Sequence, residues 1–381
     1  MIQVQRNTAN VTAIRRVIDI AKKIDVLEPN AAPLIQLTKK ISKRVAINPS
    51  FNWMEEEALT KTFSVVTGGG YTAGATQFDT VAGQGTRVRV GDVLKVVATG
   101  EQLLVTAVST DTLSINRAWG VTSAGSIASA GVILIVGNAN MENASTRAVL
   151  IGDQTPKTNY TQIFRTPFGI SRTANNSEMY GGNDLAHQRM MQLIEHQKSM
   201  ERGFWFGEPK EDTTGTDPRR ATGGVDYFIS TNATDASGTL TESEFDDFLR
   251  TGFRYGSKTK WLFAAPIITA AISYWAKGKL HTLQKDKTYG VDVTQYVTPF
   301  GTVNIVNQNI FSETTVYAGY AFLLDLDSPA YRYLANSDTK LKTHIEANDA
   351  DGEKDEYLTE AGLEFMSEKK DAQLYNVTSY A

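Results

Sequence analysis

The sequence predicts an α+β chain assembled from several parts, and three observations carry that prediction. Residues 86–136 hold five short β-runs at close spacing, Asn183 opens one helix of unusual length, and the chain closes in two alternating segments that read as a long hairpin. The 381 residues are 41% hydrophobic, enough for one large core or two to three modest ones. The apolar residues fall in short runs, and none approaches the ~18–20 uninterrupted positions of a bilayer-spanning helix.

In the β-rich block the runs are Arg87 to Val90, Val93 to Val97, Gln102 to Val108, Thr112 to Arg117 and Val132 to Val136, punctuated by Gly91-Asp92, Gly100 and Asp111. Five short strands with tight turns predict a small SH3-like or related barrel, inserted into what surrounds it. The long helix starts at Asn183, a side chain suited to capping, with Asp184 in the favourable first turn. Leu185, Met190, Leu193, Ile194, Met200 and Phe204 supply its apolar stripe up to the stop at Gly207. About 24 residues at 1.5 Å each would reach roughly 36 Å, more than one small domain covers. Tyr331 to Ile345 and Tyr357 to Val377 alternate in polarity around Asn348-Asp349-Ala350-Asp351-Gly352, which predicts an antiparallel hairpin with an Asp-Gly turn.

Before these, Val11, Ile14, Val17, Ile18, Ala21 and Ile24 recur at helical spacing, with Arg15, Arg16, Lys22 and Lys23 off that face. Pro29 and Pro33 end this amphipathic arm, and a second helical piece is expected at Leu34 to Ile41. Phe51 to Val66 reads as extended and runs into the loop Gly68-Gly69-Gly70. Tyr160 to Ala174 reads as a strand broken at Pro167, and Val225 to Ile229 as a short strand. Thr241-Glu242-Ser243-Glu244 is a capping box before Phe245, Phe248, Leu249 and Phe253. Trp261 to Ala264, Val303 to Val306 and Tyr317 to Leu324 are expected strands, and Pro266 is placed to open a helix through Ile268, Ile272 and Trp275.

Charge and cysteine content remove whole classes of chemistry. With no cysteine, thiolate nucleophiles, disulfides, zinc–thiolate sites and iron–sulfur clusters are excluded. A net charge of -4 does not fit a protein that coats nucleic acid. Its distribution is polar: residues 1–50 hold nine bases against three acids, and residues 331–381 hold six bases against eleven acids. This distribution reads either as two solvated surfaces or as complementary attraction between neighbouring copies, which such a dipolar chain favours. Met1 to Thr8 shows no apolar stretch of an export signal, so residence starts in the cytoplasm.

The candidate sites are few, and each has a plainer reading. His187 and His196 are nine apart on the long helix and face opposite ways; they, His281 and His344 read as surface or hydrogen-bonded histidines. Gly169-Ile170-Ser171-Arg172-Thr173 lacks the second glycine of a nucleophile elbow. Gly68-Gly69-Gly70-Tyr71-Thr72-Ala73 matches a dinucleotide fingerprint in letters, but no convincing helix follows to receive a pyrophosphate. Asp349, Asp351, Gly352 and Asp355 stand in calcium-loop register, yet Ala347 and Leu358 occupy the first and last ligand positions. Glu55-Glu56-Glu57 reads as a solvated face, and Phe204-Trp205-Phe206 as a core anchor for a helix end. No catalytic, cofactor-binding or metal site is assigned, and no enzyme activity or membrane association is expected.

Extended arms, a broken linker and an overlong helix gain burial when they lie on other copies, so association is the expected function. At this point the residue order becomes specific. The basic arm, Leu27-Glu28-Pro29-Asn30-Ala31-Ala32-Pro33-Leu34, Phe51-Asn52-Trp53-Met54-Glu55, Gln162-Ile163-Phe164-Arg165, His187-Gln188 on the long helix, and Glu356-Tyr357-Leu358-Thr359-Glu360-Ala361-Gly362-Leu363-Glu364 follow one another along nearly the whole chain. Together they resemble the tailed-bacteriophage major capsid proteins with the Hong Kong phage-type capsid fold.

That resemblance implies an N-terminal arm at 1–50, an extended loop at 51–166 with the barrel inserted at about 86–136, and a peripheral domain of 167–219 and 331–381 with the spine helix 183–206. It also implies an axial domain at 220–330. The implied function is self-assembly into pentamers and hexamers of an icosahedral shell around viral DNA. The implied partners are identical subunits, a scaffold, a portal, decoration proteins, and double-stranded DNA held by non-specific proximity. The implied location is the virion capsid, assembled in host cytoplasm. Two other readings stay open: the shell of an encapsulating nanocompartment, and a carbohydrate-binding virion adhesin using the insertion and Trp119.

Overall fold

In the computed structural model the described residues are 32–66, 68–143, 145–146, 149–150, 152, 154–177, 184–279, 283–284 and 294–381. The amphipathic arm expected at 11–28, the cap residue Asn183 and His281 lie outside them. The chain divides into two compact units, Met1–Trp53 with Lys157–Ala381, and Met54–Pro156.

The first unit holds two sheets. In one, the 14-residue strand Gly352–Phe365 runs between Pro329–Leu334 and Gln162–Ser171, and Lys43–Ala46 adds in parallel at the far side of Pro329–Leu334. Lys340–Lys342 pairs further along the same long strand. The other has seven strands in the order Ala233–Leu240, Ala372–Tyr380, Ala321–Leu324, Thr259–Ala264, Thr302–Asn307, Thr294–Val297 and Leu283–Gln284.

Helix Glu242–Gly252 begins with the expected capping box, in which the Thr241 side chain and Glu244 satisfy each other's backbone amides. Its Phe245, Phe248 and Leu249 join Ile268 and Ile272 of helix Pro266–Lys279 in a core with Leu262, Val303 and Leu323 of the seven-stranded sheet. A larger core gathers around the end of helix Asp184–Phe206. Trp205 lies 5.1 Å from Phe263 and 5.0 Å from both Phe311 and Phe322, between ring centroids. Leu34, Ile35 and Leu37 of helix Pro33–Ile41 complete it.

The second unit is a closed barrel. Its six antiparallel strands follow the order Thr62–Ser64, Val132–Asn138, Asp92–Val96, Gln102–Ser109, Thr112–Asn116 and Gln77–Asp79. The first and last strands then meet, because the Val66 amide donates to the Asp79 carbonyl and the Val81 amide to the Ser64 carbonyl, at 2.9 Å each. Phe63, Phe78, Leu94, Leu103, Leu113 and Ile133 fill the interior. The chain enters and leaves this unit through a two-stranded ribbon of Ser50–Glu55 and Thr155–Tyr160.

Five expectations are corrected. Arg87 to Val90 is not a strand: Gly85–Arg87 forms a 3-10 turn, and Thr62–Ser64 and Gln77–Asp79 complete the barrel. The Asp111 carboxylate accepts from the Gly83 and Gly85 amides at 3.0 Å each, and a Cβ at Gly85 would stand 2.1 Å from the Thr110 carbonyl oxygen, so the segment is wound tightly against that loop. Val225 to Ile229 is helical at Val225–Phe228, because Val225 and Ile229 bury one face at i, i+4 spacing. Gly224 there packs so closely that an added Cβ would lie 2.7 Å from the Trp205 carbonyl carbon.

Pro167 does not break Gln162–Ser171, since on an edge strand half the amides point away from the neighbour and a missing N–H is tolerated. Tyr317 to Leu324 begins as a 3-10 turn, Tyr317–Gly319, with the strand confined to Ala321–Leu324. The hairpin's second arm ends at Phe365, and its connection spans residues 343–351 in place of a tight Asp-Gly turn. Ser367 takes a left-handed conformation, φ 58°, and Ala372–Tyr380 then enters the seven-stranded sheet.

Candidate functional site

Of the residues singled out for chemistry, the structure brings Ser171 and Arg172 beside Asp351 and Gly352. Glu55 ends a ribbon strand, with Glu56 and Glu57 in the following loop. Asp351 bonds Arg172 at 2.6 Å, and Asp355 bonds Arg189 at 2.7 Å, so the calcium-register acids turn to different guanidinium groups. Asp349 stays exposed on the turn. Among the described residues no group of three or more His, Asp or Glu stands where it could hold a metal ion. Gly169, Ser171 and the neighbouring Pro167, Phe168 and Ile170 line an open groove of about 550 Å³ with Glu346 and Asp351. Phe204 and Trp205 are fully buried and Phe206 stacks on Tyr317 at 3.8 Å, which makes the triplet a helix anchor. Trp119 is exposed on the barrel, His187 is half-buried, and His344 is exposed.

The long helix instead carries two buried polar centres. Glu201 is fully buried and accepts from four donors: the Leu34 and Ile35 amides at 2.9 Å, the Trp205 indole at 3.1 Å and the Gln308 amide at 2.7 Å. The carboxylate thus caps helix Pro33–Ile41 from a different element, where free N–H groups and the helix dipole favour negative charge. Burial lifts its pKa to about 7, against the four hydrogen bonds that favour the ionised form. One turn and a half earlier, His196 is clamped by Thr166 at 2.9 Å and Thr359 at 2.7 Å, and burial drops it to about 4.

Ion pairs tie the same helix and sheet together. Arg165 forks onto Glu356 at 2.5 and 2.8 Å, and Arg44 and Arg332 both reach the buried Glu364, at 2.6 and 2.9 Å. In the barrel Arg117 forks onto Glu101 at 2.8 and 2.7 Å, and Glu101 also accepts from the Ala118 and Gly125 amides at 3.0 Å. Burial raises the Glu101 pKa, but these bonds outweigh it and bring it down to about 2. These groups are held by protein partners that tie one element to another, an arrangement that holds a shape.

Stripe spacing alone predicts none of Glu201, His196 and Asn159. Asn159 is buried at the inner end of the ribbon and donates to the Thr222 hydroxyl and the Gly223 and Leu363 carbonyls. The one available clue was a charged residue and a histidine on the apolar side of a helix.

Comparison with known proteins decides the family. The model of the SU10 major capsid protein family matches residues 3–378. The chain belongs to the SU10 major capsid protein family. This SU10-family chain is 22% identical over 261 residues to the major capsid protein of Pseudomonas phage PaMx41, covering 65% of its own length and 62% of that relative's. Its fold is similar to the capsid chain of an empty GTA particle computed with C5 symmetry, at a TM-score of 0.52 and 8% identity over 98% of this chain and 100% of that one. That likeness shows the phage capsid fold, as the residue order led one to expect. The SrpI encapsulin of Synechococcus elongatus PCC 7942 is similar at a TM-score of 0.46 and 12% identity, over 60% of this chain and 80% of that one.

Proposed function

We propose that this chain is a shell subunit whose copies close into pentamers and hexamers, and these into an icosahedral shell enclosing viral DNA, without catalysing a reaction. The family match across residues 3–378 carries this reading. The physical support is that the ribbon buries Phe51 and Trp53 within the chain but leaves Met54 exposed on its other face, where a neighbouring copy supplies the burial it lacks.

In this reading residues 1–50 form the N-terminal arm and 51–166 the extended loop carrying the barrel. Residues 167–219 and 331–381 form the peripheral domain and 220–330 the axial domain around ring axes. The partners beyond identical subunits are a scaffold, a portal and decoration proteins. DNA is held by proximity, in keeping with a net charge of -4. Assembly takes place in the host cytoplasm, and the product resides in the virion.

The test is sedimentation and negative-stain microscopy of the purified chain over a range of concentrations. Closed shells or capsomer rings are the expected result. A compact monomer at every concentration overturns the reading; shells that recruit enzyme cargo in place of DNA, or a monomer that binds glycans, would replace it with another.

A further inference from the structure

One face of the seven-stranded sheet gathers acceptors and aromatic rings around a carboxylate that the chain leaves without a cation. Strand register sets Gln373 between Phe322 and Ala233, and Tyr375, two residues further along the same face, opposite Asp235. Tyr320 lies 5.9 Å from Tyr375 and 5.0 Å from Tyr317 between ring centroids, and all three tyrosines are half-buried. Helix Val225–Phe228 brings Asp226 to this face, where the Gln373 side-chain amide bonds its carboxylate. Gln373 is only 9% exposed, yet its Oε1 has no hydrogen-bond partner. Its nitrogen is committed to Asp226, so turning the amide over would exchange one orphan for another. Asp226 is half-buried, and among the described residues no lysine or arginine pairs with it. Burial raises its pKa, and the Gln373 bond alone counters the rise. The Tyr317 and Tyr320 phenols are raised too, by burial first and then by Asp226, with no base to offset either.

An orphaned amide oxygen, an unpaired carboxylate and the electron-rich faces of tyrosine rings all call for a cation with several N–H donors. A guanidinium matches them: it offers five donors in a flat fork, stacks on aromatic faces and sheds its water more readily than an ammonium. A metal ion matches less well, because no group of three His, Asp or Glu among the described residues could hold one. We propose that this face binds the guanidinium of an arginine side chain presented by another polypeptide. Asp226 supplies the charge partner, Gln373 Oε1 a second acceptor, and the tyrosine rings the stacking walls. The half-buried rings leave the site open to solvent on one side, so a side chain can enter from outside. The proposal stands apart from the shell reading, and either can fail without the other.

The experiment is a saturation-transfer NMR titration of the full-length chain with acetyl-Gly-Arg-Gly-amide and its lysine and citrulline counterparts, a method that tolerates an assembly of any size. Citrulline keeps the shape of arginine and loses the charge. The arginine peptide is expected to bind, the lysine peptide several-fold more weakly, and the citrulline peptide to show no transfer. D226N is expected to weaken the arginine peptide about tenfold and Y375L by a smaller factor. D349N, which removes one charge from an exposed turn, is expected to change nothing. Thermal melts show which variants are folded, and Y375L carries the test if D226N is not. No transfer from the arginine peptide to wild type overturns the inference. Equal weakening by D226N and D349N, or unchanged binding by folded D226N or Y375L, reduces the effect to general attraction by an acidic chain and overturns it too. Magnesium that displaces the peptide from wild type but not from D226N would reassign the site to a metal ion.

Discussion

Glu201 accepts a hydrogen bond from the Leu34 amide at 2.9 Å, across 167 residues of sequence. The contact sets where helix Pro33–Ile41 starts against the long helix, and with it the point from which the preceding residues depart. E201L leaves two backbone amides, an indole and a carboxamide without their acceptor. Each unpaired buried group costs about 1–3 kcal/mol, so a loss of at least about 3 kcal/mol is expected in denaturant unfolding, with faster proteolysis around Ile41.

The same carboxyl gives a pH dependence of definite sign. Burial lifts it from 4.5 to about 7, so the folded chain keeps a proton that the unfolded chain releases. Its contribution to stability is full below pH 4.5 and is lost as the pH rises to about 7, at about 1.4 kcal/mol for each pH unit between. E201Q, isosteric with the protonated group, is expected to flatten that part of the stability profile. A wild-type curve superimposable on that of E201Q between pH 4.5 and 7 would refute this.

His196 acts in the opposite direction. Burial between Thr166 and Thr359 lowers it from 6.5 to about 4, so its contribution is present above pH 6.5 and is lost as the pH falls to about 4. H196Q is expected to remove that acid sensitivity, and the wild-type imidazole resonances should show no protonation above pH 5.

Lys260 is buried in the seven-stranded sheet and donates to the Gly252 carbonyl at 2.7 Å, the Tyr255 carbonyl at 2.8 Å and the Lys370 carbonyl. Asp371, itself buried and pushed up in pKa by that burial, draws on its charge. K260M leaves three carbonyls without their donor and removes the positive charge near Asp371, and about 3–5 kcal/mol of stability should be lost. Calorimetry of the full chain measures it.

Excision of the insertion follows the barrel's real boundaries. Deleting only residues 86–136 strands Phe63, Val65 and Phe78, which belong to the same core, so that variant is expected to aggregate. A fragment of Met54–Pro156 is expected to fold alone with dispersed amide resonances and one cooperative melt, and R117M within it to lower the melting temperature by breaking the Glu101 pair.

How much of this was legible depends on the range of the interactions. The capping box at Thr241, helix Pro33–Ile41, the length of the long helix and most barrel strands follow from neighbours within a few residues, where spacing and turn chemistry act directly. Short apolar runs without a period, such as Val225 to Ile229, are equally compatible with strand and helix, and there the packing on Trp205 decided. Pro167 misled for a similar reason: whether a proline breaks a strand depends on which side of the sheet edge its nitrogen faces.

The order of motifs along the chain determined by itself that this is a capsid-family subunit, because each motif is local and their succession is written in one dimension. Tertiary structure alone decided that Ala372–Tyr380 leaves the hairpin for another sheet, that Glu201 and His196 are buried, and that Gln373 meets Asp226. Burial and strand pairing are properties of residues distant in sequence, and the desolvation that sets their energies exists only once the chain has folded around them.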